Sequence, residues 1–431
     1  MAKEQFSFVS LGCARTLVDS ETMINDLKGK GFQLVNENSS EESVVLNTCA
    51  FIQSAVDETE ENIRQLSERK KKQQIKHLAV VGCYPSRYKK SELESRFPEV
   101  DLWLTTKEGS RLKEEMTKLV FKKKYHPVKP SPFTKLTPNH YSYIKISEGC
   151  NNWCAFCTIP KIRGAHVSRT IEEIRHESEK QIALGAKELL LVAEDTTAWG
   201  EDLFGEPSLH LLLEALVDLP VNWIRPMYIF PSRVTDALID VFRKYPEKYG
   251  YIDIPVQHAN TEILTGMKRH HDKTFLLDVL KKMKLANPDI SLRTTLLLGF
   301  PGETDAHVDE LEAFLEEIKF SQIGCFGYSP EKGTRAYKFK ETVSAPDIRS
   351  RIHRIMAKQY QLMTQVNEAR LGKTYPFVYE GQGFGRTQHE APEVDGMVKV
   401  ENAENLEVGV FYNIKMTGIQ GYDLIGEVVS A

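Results

Sequence analysis

Three apolar runs near the start of the chain end the same way: FSFVSLGC closes on Cys13, VVLNTC on Cys49 and LAVVGC on Cys83. Amphipathic stretches separate them, TLVDSETMINDLKGKG after the first and a long polar helix over about 53–73 after the second. Apolar strands alternating with helices pack as a parallel sheet covered on both faces, so residues 1–121 are expected to form a doubly wound α/β layer. In such a sheet, ligands lie in the crevice beyond the carboxyl ends of the strands. The pattern therefore brings three thiols, far apart in sequence, to one edge of the sheet. Cysteine is also simply a small apolar residue, often buried beside strands. Its return at one position in three successive units favours a shared ligand: a 4Fe-4S cluster on three thiolates, with one iron open.

A second trio is local. Cys150, Cys154 and Cys157 lie in SEGCNNWCAFCTIP with the spacing C-x₃-C-x₂-C. Four cysteines close a cubane for electron transfer. Three leave one iron open to a substrate or second cofactor, and an open iron does chemistry. Two other readings attach to these thiols. Zinc needs a fourth ligand, for which His140 and His166 are near in sequence. A redox pair of Cys154 with Cys157 needs no third cysteine and opens a helix in a thioredoxin-like unit; nothing around this pair fits one. Cys325, in the apolar run QIGCFGYS, reads as an inert packing thiol.

Composition bounds the setting. Of 431 residues, 41% are hydrophobic and 27% charged, ordinary for a soluble globular protein. No run approaches the ~20 apolar residues of a membrane span, and the start, MAKEQFSFVS, enters a strand pattern with no apolar leader. A cytoplasmic protein with no membrane association is expected, in which cysteines stay reduced and metal or catalytic roles outrank disulfides. A formal charge of −4 argues against a nucleic-acid footprint spread over the whole chain.

A chain of this length is expected to hold two to four domains at ~100–200 residues each. Pro127, Pro130, Pro132 and Pro138 mark residues 122–138 as an extended linker. Lysines at 70–72 and 122–124 read as solvated faces, with an RNA contact as the alternative. Residues 139–368 carry six strand runs: YSYIKIS, KELLLVAED, WIRPMYIF, YIDIPVQ, SLRTTLLLGF and QIGCFGYS. With the helical stretches between them they predict a partial (βα)6 barrel, short of the eight units of a closed one. Its lateral opening suits a large substrate.

Barrel sites lie at the carboxyl ends of the strands. The cysteine loop follows the first strand, Glu194 and Asp195 the second, Gln257 and His258 the fourth, and the turn GFPGET (299–304) the fifth. Each has an ordinary alternative: helix capping for Asp195, structural hydrogen bonding for His258, a tight strand–helix turn for GFPGET. His270 and His271 read as surface features. Residues 369–431 show short strands with turn signals, a small all-β barrel. From 371 onward, four Lys and Arg stand against nine Asp and Glu, a formal charge of −5.

The loop SEGCNNWCAFCTIP resembles the cluster loop of radical S-adenosylmethionine (AdoMet) enzymes. With the strand-end trio and the small β-barrel added, essentially the whole chain resembles one family, the radical-AdoMet methylthiotransferases. The resemblance implies an N-terminal cluster-binding domain (1–121), a central radical domain (139–368) and a C-terminal TRAM domain (369–431). It implies two 4Fe-4S clusters: an auxiliary one on Cys13, Cys49 and Cys83 that binds or delivers sulfur, and a radical one on Cys150, Cys154 and Cys157. AdoMet is then both the methyl donor and the source of a 5′-deoxyadenosyl radical that takes hydrogen from an unactivated C–H bond. Phe156 becomes an adenine-side residue or ordinary loop packing, and Glu194 and Asp195 face the AdoMet amino group. An electron donor of flavodoxin or ferredoxin type is implied; the sulfur donor is not identified.

Within the family, YIKISEGC, EDTTAWG (194–200), YIDIPVQHAN (251–260) and GCFGYSPEKGT (324–334) resemble the RimO branch. That branch modifies the β-carbon of an aspartate in small-subunit ribosomal protein S-twelve. The MiaB and MtaB branches modify tRNA adenosines, and their GQNVNAYG-like pattern does not occur at 194–200. Trp153 and Ala155 depart from the family at loop positions that touch no ligand. The charge of the last segment points the same way, since an acidic module repels phosphate and favours a basic partner such as a ribosomal protein. An iron–sulfur carrier or redox sensor would use the same six cysteines; the missing fourth ligand in each trio and the barrel-like core argue for an enzyme.

Overall fold

The computed structural model describes residues 4–37, 39, 41–121, 132–340 and 342–429. Most of the proline-rich stretch, 122–131, with its lysines at 122–124, lies outside the described residues. The chain gathers into two compact units. One is residues 1–138 with 148–151 and 157–165; the other is 139–147, 152–156 and 166–431.

In the first unit, strands β1 (Gln5–Ser10), β2 (Gln33–Leu34), β3 (Ser43–Thr48), β4 (His77–Gly82) and β5 (Leu102–Thr105) form a sheet in the order β2-β1-β3-β4-β5. Every pair is parallel, with Val9 opposite Leu46 and Val44 opposite Leu78. All six residues of β3 are buried, because the sheet is covered twice. Val44 and Leu46 pack with Ile63 and Leu66 of the helix Gln53–Lys71. Val45, on the opposite face, packs with Ile24 and Leu27 of the helix Ala14–Gly29. Each such side chain taken out of water contributes about 1.5–3 kcal/mol. The strand order reverses between β1 and β3, the switch point where doubly wound sheets open a ligand crevice.

In the second unit, β6 (Tyr141–Lys145) follows the amino end, and the two-residue strands β7 (Ser147–Glu148) and β8 (Val167–Ser168) lie near the cysteine loop in sequence. The remaining central strands are β9 (Glu188–Val192), β10 (Trp223–Pro226), β11 (Tyr251–Asp253), β12 (Ser291–Leu298) and β13 (Gln322–Gly327). They pair in parallel as two ladders, β6-β9-β10 and β11-β12-β13. The six expected strands are all present, and Ile229 N–H donating to Asp253 C=O (2.9 Å) continues the wall between the ladders. Ile144, Leu189, Leu191, Ile224, Ile252 and Leu292 belong to the large apolar core. Their alternates Tyr143, Glu188, Arg225, Tyr251 and Arg293 fall on the opposite face, as a period of two requires.

The last strands, β14 (Thr374–Gly381), β15 (Phe384–Thr387), β16 (Val398–Val400), β17 (Phe411–Gln420) and β18 (Asp423–Val429), close a barrel around Phe377, Val398, Ile414 and Met416. The stretch 387–395 meets the amino-terminal ends of the central strands. Arg225 donates to the carbonyls of Thr387 (3.0 Å) and Gln388 (2.5 Å), and Ser291 to that of His389 (2.9 Å). Tyr141 and Tyr143 donate to the two oxygens of Glu393 (2.8 and 3.0 Å), and Tyr251 to Asp395 (2.6 Å). Glu393 adopts φ 70°, costly for a non-glycine residue and sustained by such fixed surroundings. The amino-terminal mouth of the central barrel is thus floored by the small barrel, and the carboxyl ends of the strands carry the site.

Candidate functional site

Each cysteine of the strand-end trio is set by its local backbone. Gly12 has φ +107°, and a Cβ there would lie 2.9 Å from Cys49 Cβ and 3.4 Å from its Sγ. Only glycine lets the end of β1 approach the end of β3 so closely. Cys13 then stands at the N-cap of the helix Ala14–Gly29. Gly82 has φ +98° and would meet Asn47 Oδ1 at 2.4 Å; Cys83 follows it as the first residue of the helix Cys83–Arg87. Thr48 ties β3 to this turn, donating to Val81 C=O (2.6 Å) and accepting from Tyr84 N–H (3.1 Å).

The three thiols feel one another's charge and that of a guanidinium absent from the sequence reading, Arg163. Its side chain is 2% exposed, held by Glu148 (2.8 Å) and Asp19 (3.2 Å). Burial pushes Cys83 up to about 12 and raises Cys49. Burial acts on Cys13 too, but Arg15, the Thr16 backbone amide and Arg163 outweigh it and bring its thiol down to about 7. Three free thiols at three adjacent parallel strand ends, with a cationic counterpart and a glycine-made approach, fit a cluster whose ligands are thiolates.

Cys150 and Cys157 belong to the first unit and Cys154 to the second. Cys150 is buried, its N–H donating to Gly164 C=O (3.1 Å). Gly149 has φ +77°, where a Cβ would strike Ala165 O at 2.1 Å. Thr158, after Cys157, donates to Phe51 C=O (2.9 Å). In the second unit, Ala155 N–H donates to Met267 C=O (2.9 Å) and Ala336 N–H to Ala155 C=O (2.8 Å). Arg269, another residue the sequence reading missed, has its Nη1 3.6 Å from Cys154 Sγ and donates to Pro255 C=O (2.6 Å). Its guanidinium lies 3.9 Å from the Phe230 ring centroid. Cys150, Cys154 and Cys157 are all free thiols, three within eight residues of the sequence.

The two histidines near the loop in sequence are both engaged through Nε2. His140 Nε2 is bonded to Glu380 (2.8 Å) and His166 Nε2 to Ser168 (3.0 Å). Among the described residues, no three His, Cys, Asp or Glu side chains close around a single metal ion.

Asp195 is buried and fully engaged. Oδ1 accepts from Ala198 N–H (3.1 Å) and Thr197 (2.6 Å), Oδ2 from Asn152 (2.8 Å) and Arg233 (3.0 Å). It thus caps a short helix and fixes Asn152, two residues before Cys154. Glu194 beside it is half-buried, two residues beyond β9. Phe156 packs against Ala155, Ile263, Met267, Phe300 and Ala336.

His258 is wholly buried; its Nδ1 accepts from Asn260 N–H (2.9 Å), and burial lowers its pKa to about 3. Gln257 sits at φ 71° and bridges to β12 through both its amide and its carbonyl. In GFPGET, Gly299 at φ +78° makes room for Ile348, and Glu303 accepts from Gly299 N–H (2.9 Å). His271 is half-buried against Phe230 and Phe275, more enclosed than expected. Cys325 pairs with Leu296 within β12–β13, its thiol pushed up to about 12 by burial, an inert position. Of the lysines at 70–72, Lys70 and Lys71 are paired with Asp101, Glu68 and Glu99, and Lys72 is exposed.

Residues 5–105 match the family described as Uncharacterized protein family UPF0004, residues 144–315 the Radical SAM superfamily, and residues 372–429 the TRAM domain. Among solved structures, the chain resembles the radical S-adenosylmethionine methyltransferase TsrM from Kitasatospora setae, with cobalamin and a [4Fe-4S] cluster bound. The TM-score is 0.58 at 13% identity, over 95% of this chain and 80% of that one, a likeness of fold. The chain is 37% identical to the ribosomal protein uS12 methylthiotransferase RimO of Desulforamulus reducens, over 97% of this chain and 98% of that protein. It is 36% identical to the protein of the same name from Clostridioides difficile (97% and 98%) and 36% to that from Syntrophus aciditrophicus (100% of both). Kinship of this depth along the entire length, carried by all three matched segments, makes the chain a member of the RimO family of ribosomal protein uS12 methylthiotransferases.

Proposed function

We propose that the protein inserts a methylthio group at the β-carbon of an aspartate in small-subunit ribosomal protein uS12. The observation that carries this reading is the convergence of Cys13, Cys49 and Cys83 on adjacent strand ends beside Arg163, in a chain that also bears the C-x₃-C-x₂-C loop. Cys150, Cys154 and Cys157 hold the radical cluster; Cys13, Cys49 and Cys83 hold the auxiliary cluster. When bound, these groups with AdoMet supply hydrogen abstraction, sulfur and methyl.

The chain's own residues bind and orient. Arg269 donates toward Cys154, and hydrogen bonds to cluster sulfurs tune potential. Asp195 acts on the AdoMet side through Asn152 and Arg233, with Glu194 and Phe156 facing the same ligand. Arg163 and Arg15 offset the negative charge of three thiolates. Residues 1–121 form the auxiliary-cluster domain, 122–138 the linker, 139–368 the radical domain and 369–431 the TRAM domain. A soluble one-electron donor serves the radical cluster in the cytoplasm.

The test is mass spectrometry of a strain lacking the gene. Loss of the methylthio mass from uS12, with methylthio-nucleosides intact, is the expected result. Loss of the nucleoside alone would transfer the assignment to a tRNA substrate.

A further inference from the structure

The cysteine loop is joined by its backbone to a strongly cationic segment. Ala336 N–H donates to the carbonyl of Ala155, the residue after Cys154 (2.8 Å). Residues 331–340 read EKGTRAYKFK, and Lys332, Arg335, Lys338 and Lys340 are all exposed. The single acid of the stretch, Glu331, is buried and accepts from Ser329 (2.6 Å). Among the described residues no carboxylate pairs with any of the four cations. On the neighbouring helices Asp305–Ile318 and Ala345–Glu368, by contrast, Arg351 is paired with Asp305, Arg354 with Asp309 and Glu312, and Lys358 with Glu316. In a chain of net charge −4, four cations without a paired carboxylate among the described residues thus stand on a segment bonded to the loop that carries a cluster ligand. Two aromatic side chains stand exposed at the same place in the chain path: Trp153 (54%), next to Cys154, and Tyr337 (49%), next to Ala336.

We propose that this surface, residues 332–340 with Trp153, is the docking site for a small acidic one-electron carrier protein that reduces the cluster held by Cys154. The proposal rests on the reading that Cys150, Cys154 and Cys157 hold a redox-active cluster. Electron transfer needs a brief encounter close to the acceptor, and redox interfaces are accordingly small, below about 1,200 Å². A cluster of unpaired cations steers an acidic partner and raises its encounter rate. The exposed indole and phenol offer apolar contact to such a partner. A free basic ribosomal protein would be repelled here, and the experiment separates a carrier from rRNA. In the step itself a flavin hydroquinone anion gives up one electron and becomes the neutral semiquinone, and the cluster takes that electron; no atom or proton changes hands.

The experiment uses the full-length protein loaded with both clusters, and measures 5′-deoxyadenosine formed from AdoMet under two reductants, dithionite and purified bacterial flavodoxin hydroquinone. The variants are Lys338→Glu/Lys340→Glu, Arg335→Glu, and Lys415→Glu of the small barrel as a control. The double variant is expected to lose at least about tenfold of its flavodoxin-driven rate at low salt, with the gap to the unaltered protein closing as salt screens the charges. With dithionite its rate stays within about twofold, which also reports a correct fold. Equal losses under both reductants, or no loss with flavodoxin, overturns the proposal. So does a variant that keeps flavodoxin-driven cleavage and fails only on ribosomal substrate, because the surface would then belong to rRNA or protein recognition. Absence of 5′-deoxyadenosine from the unaltered protein with dithionite would instead strike the radical-enzyme reading itself.

Discussion

The proposed assignment gives Cys49 and Cys154 two different jobs, and single substitutions test it. On that assignment Cys154→Ala removes a ligand of the cluster that cleaves AdoMet, so 5′-deoxyadenosine formation should fall to background. Cys49→Ala is expected to retain cleavage and lose methylthio product, read by chromatography of both products from one reaction. Full methylthio product from Cys49→Ala would refute the auxiliary assignment. His258 makes a prediction of another kind. Its folded pKa, lowered to about 3 by burial, lies below the ordinary value of 6.5. Between those values the unfolded chain binds a proton that the folded chain refuses. The stability due to a neutral His258 is therefore complete above about pH 6.5 and is lost as pH falls toward 3, by up to about 1.4 kcal/mol per unit. His258→Gln, which keeps an acceptor for Asn260 N–H, should flatten that acid limb in urea titrations at pH 7 and pH 5.

At the level of elements, the acidity of residues 371–431 acquires a different meaning from the one its charge count suggests. Glu380, Glu390 and Asp395 contribute to the −5, yet they are tied up internally, with His140 and Arg386, with Arg370, and with Arg293 and Tyr251 respectively. Burial opposes the Glu380 carboxylate, but His140 and Arg386 prevail and hold it at about 2. The exposed remainder still leans acidic, with Glu401, Glu404, Glu407 and Glu427 against Lys373, Lys399 and Lys415. Arg386 is the hub: 1% exposed, it donates to Glu188 of β9 (2.8 and 3.2 Å) and to Glu380 (2.8 and 3.1 Å). Breaking a buried pair on one side leaves an uncompensated charge. Arg386→Met should therefore cost about 3–5 kcal/mol, measured as a lowered denaturant midpoint. An unchanged midpoint would mean that Arg225 alone neutralises Glu188.

For the molecule as a whole, legibility followed the range of the signal. Strand-end cysteines could be read because an apolar run and its last residue are contiguous, and the sheet rule then carries them together. The six central strands were readable for the same reason. Arg163 and Arg269 were not, since each reaches its cysteine through a fold contact that leaves no local pattern: Arg163 comes 80 residues after Cys83, and Arg269 115 after Cys154. The inward row Tyr141, Tyr143, Glu188, Arg225 and Arg293 was equally hidden. Alternation marks these positions as a face but does not say that a loop from a later barrel will meet them.

That loop bears on how such a protein can be taken apart. Residues 387–395 accept from Tyr141, Tyr143, Arg225, Tyr251, Ser291 and Arg293, so a chain cut at 370 would open these donors to solvent and leave Glu188 short of a cation. A chimaera that grafts a foreign C-terminal barrel onto this central one inherits the same debt, unless the graft brings its own Glu393, Asp395 and Arg386. What sequence similarity delimits as a transferable module is, in its chemistry, the base plate of the barrel before it.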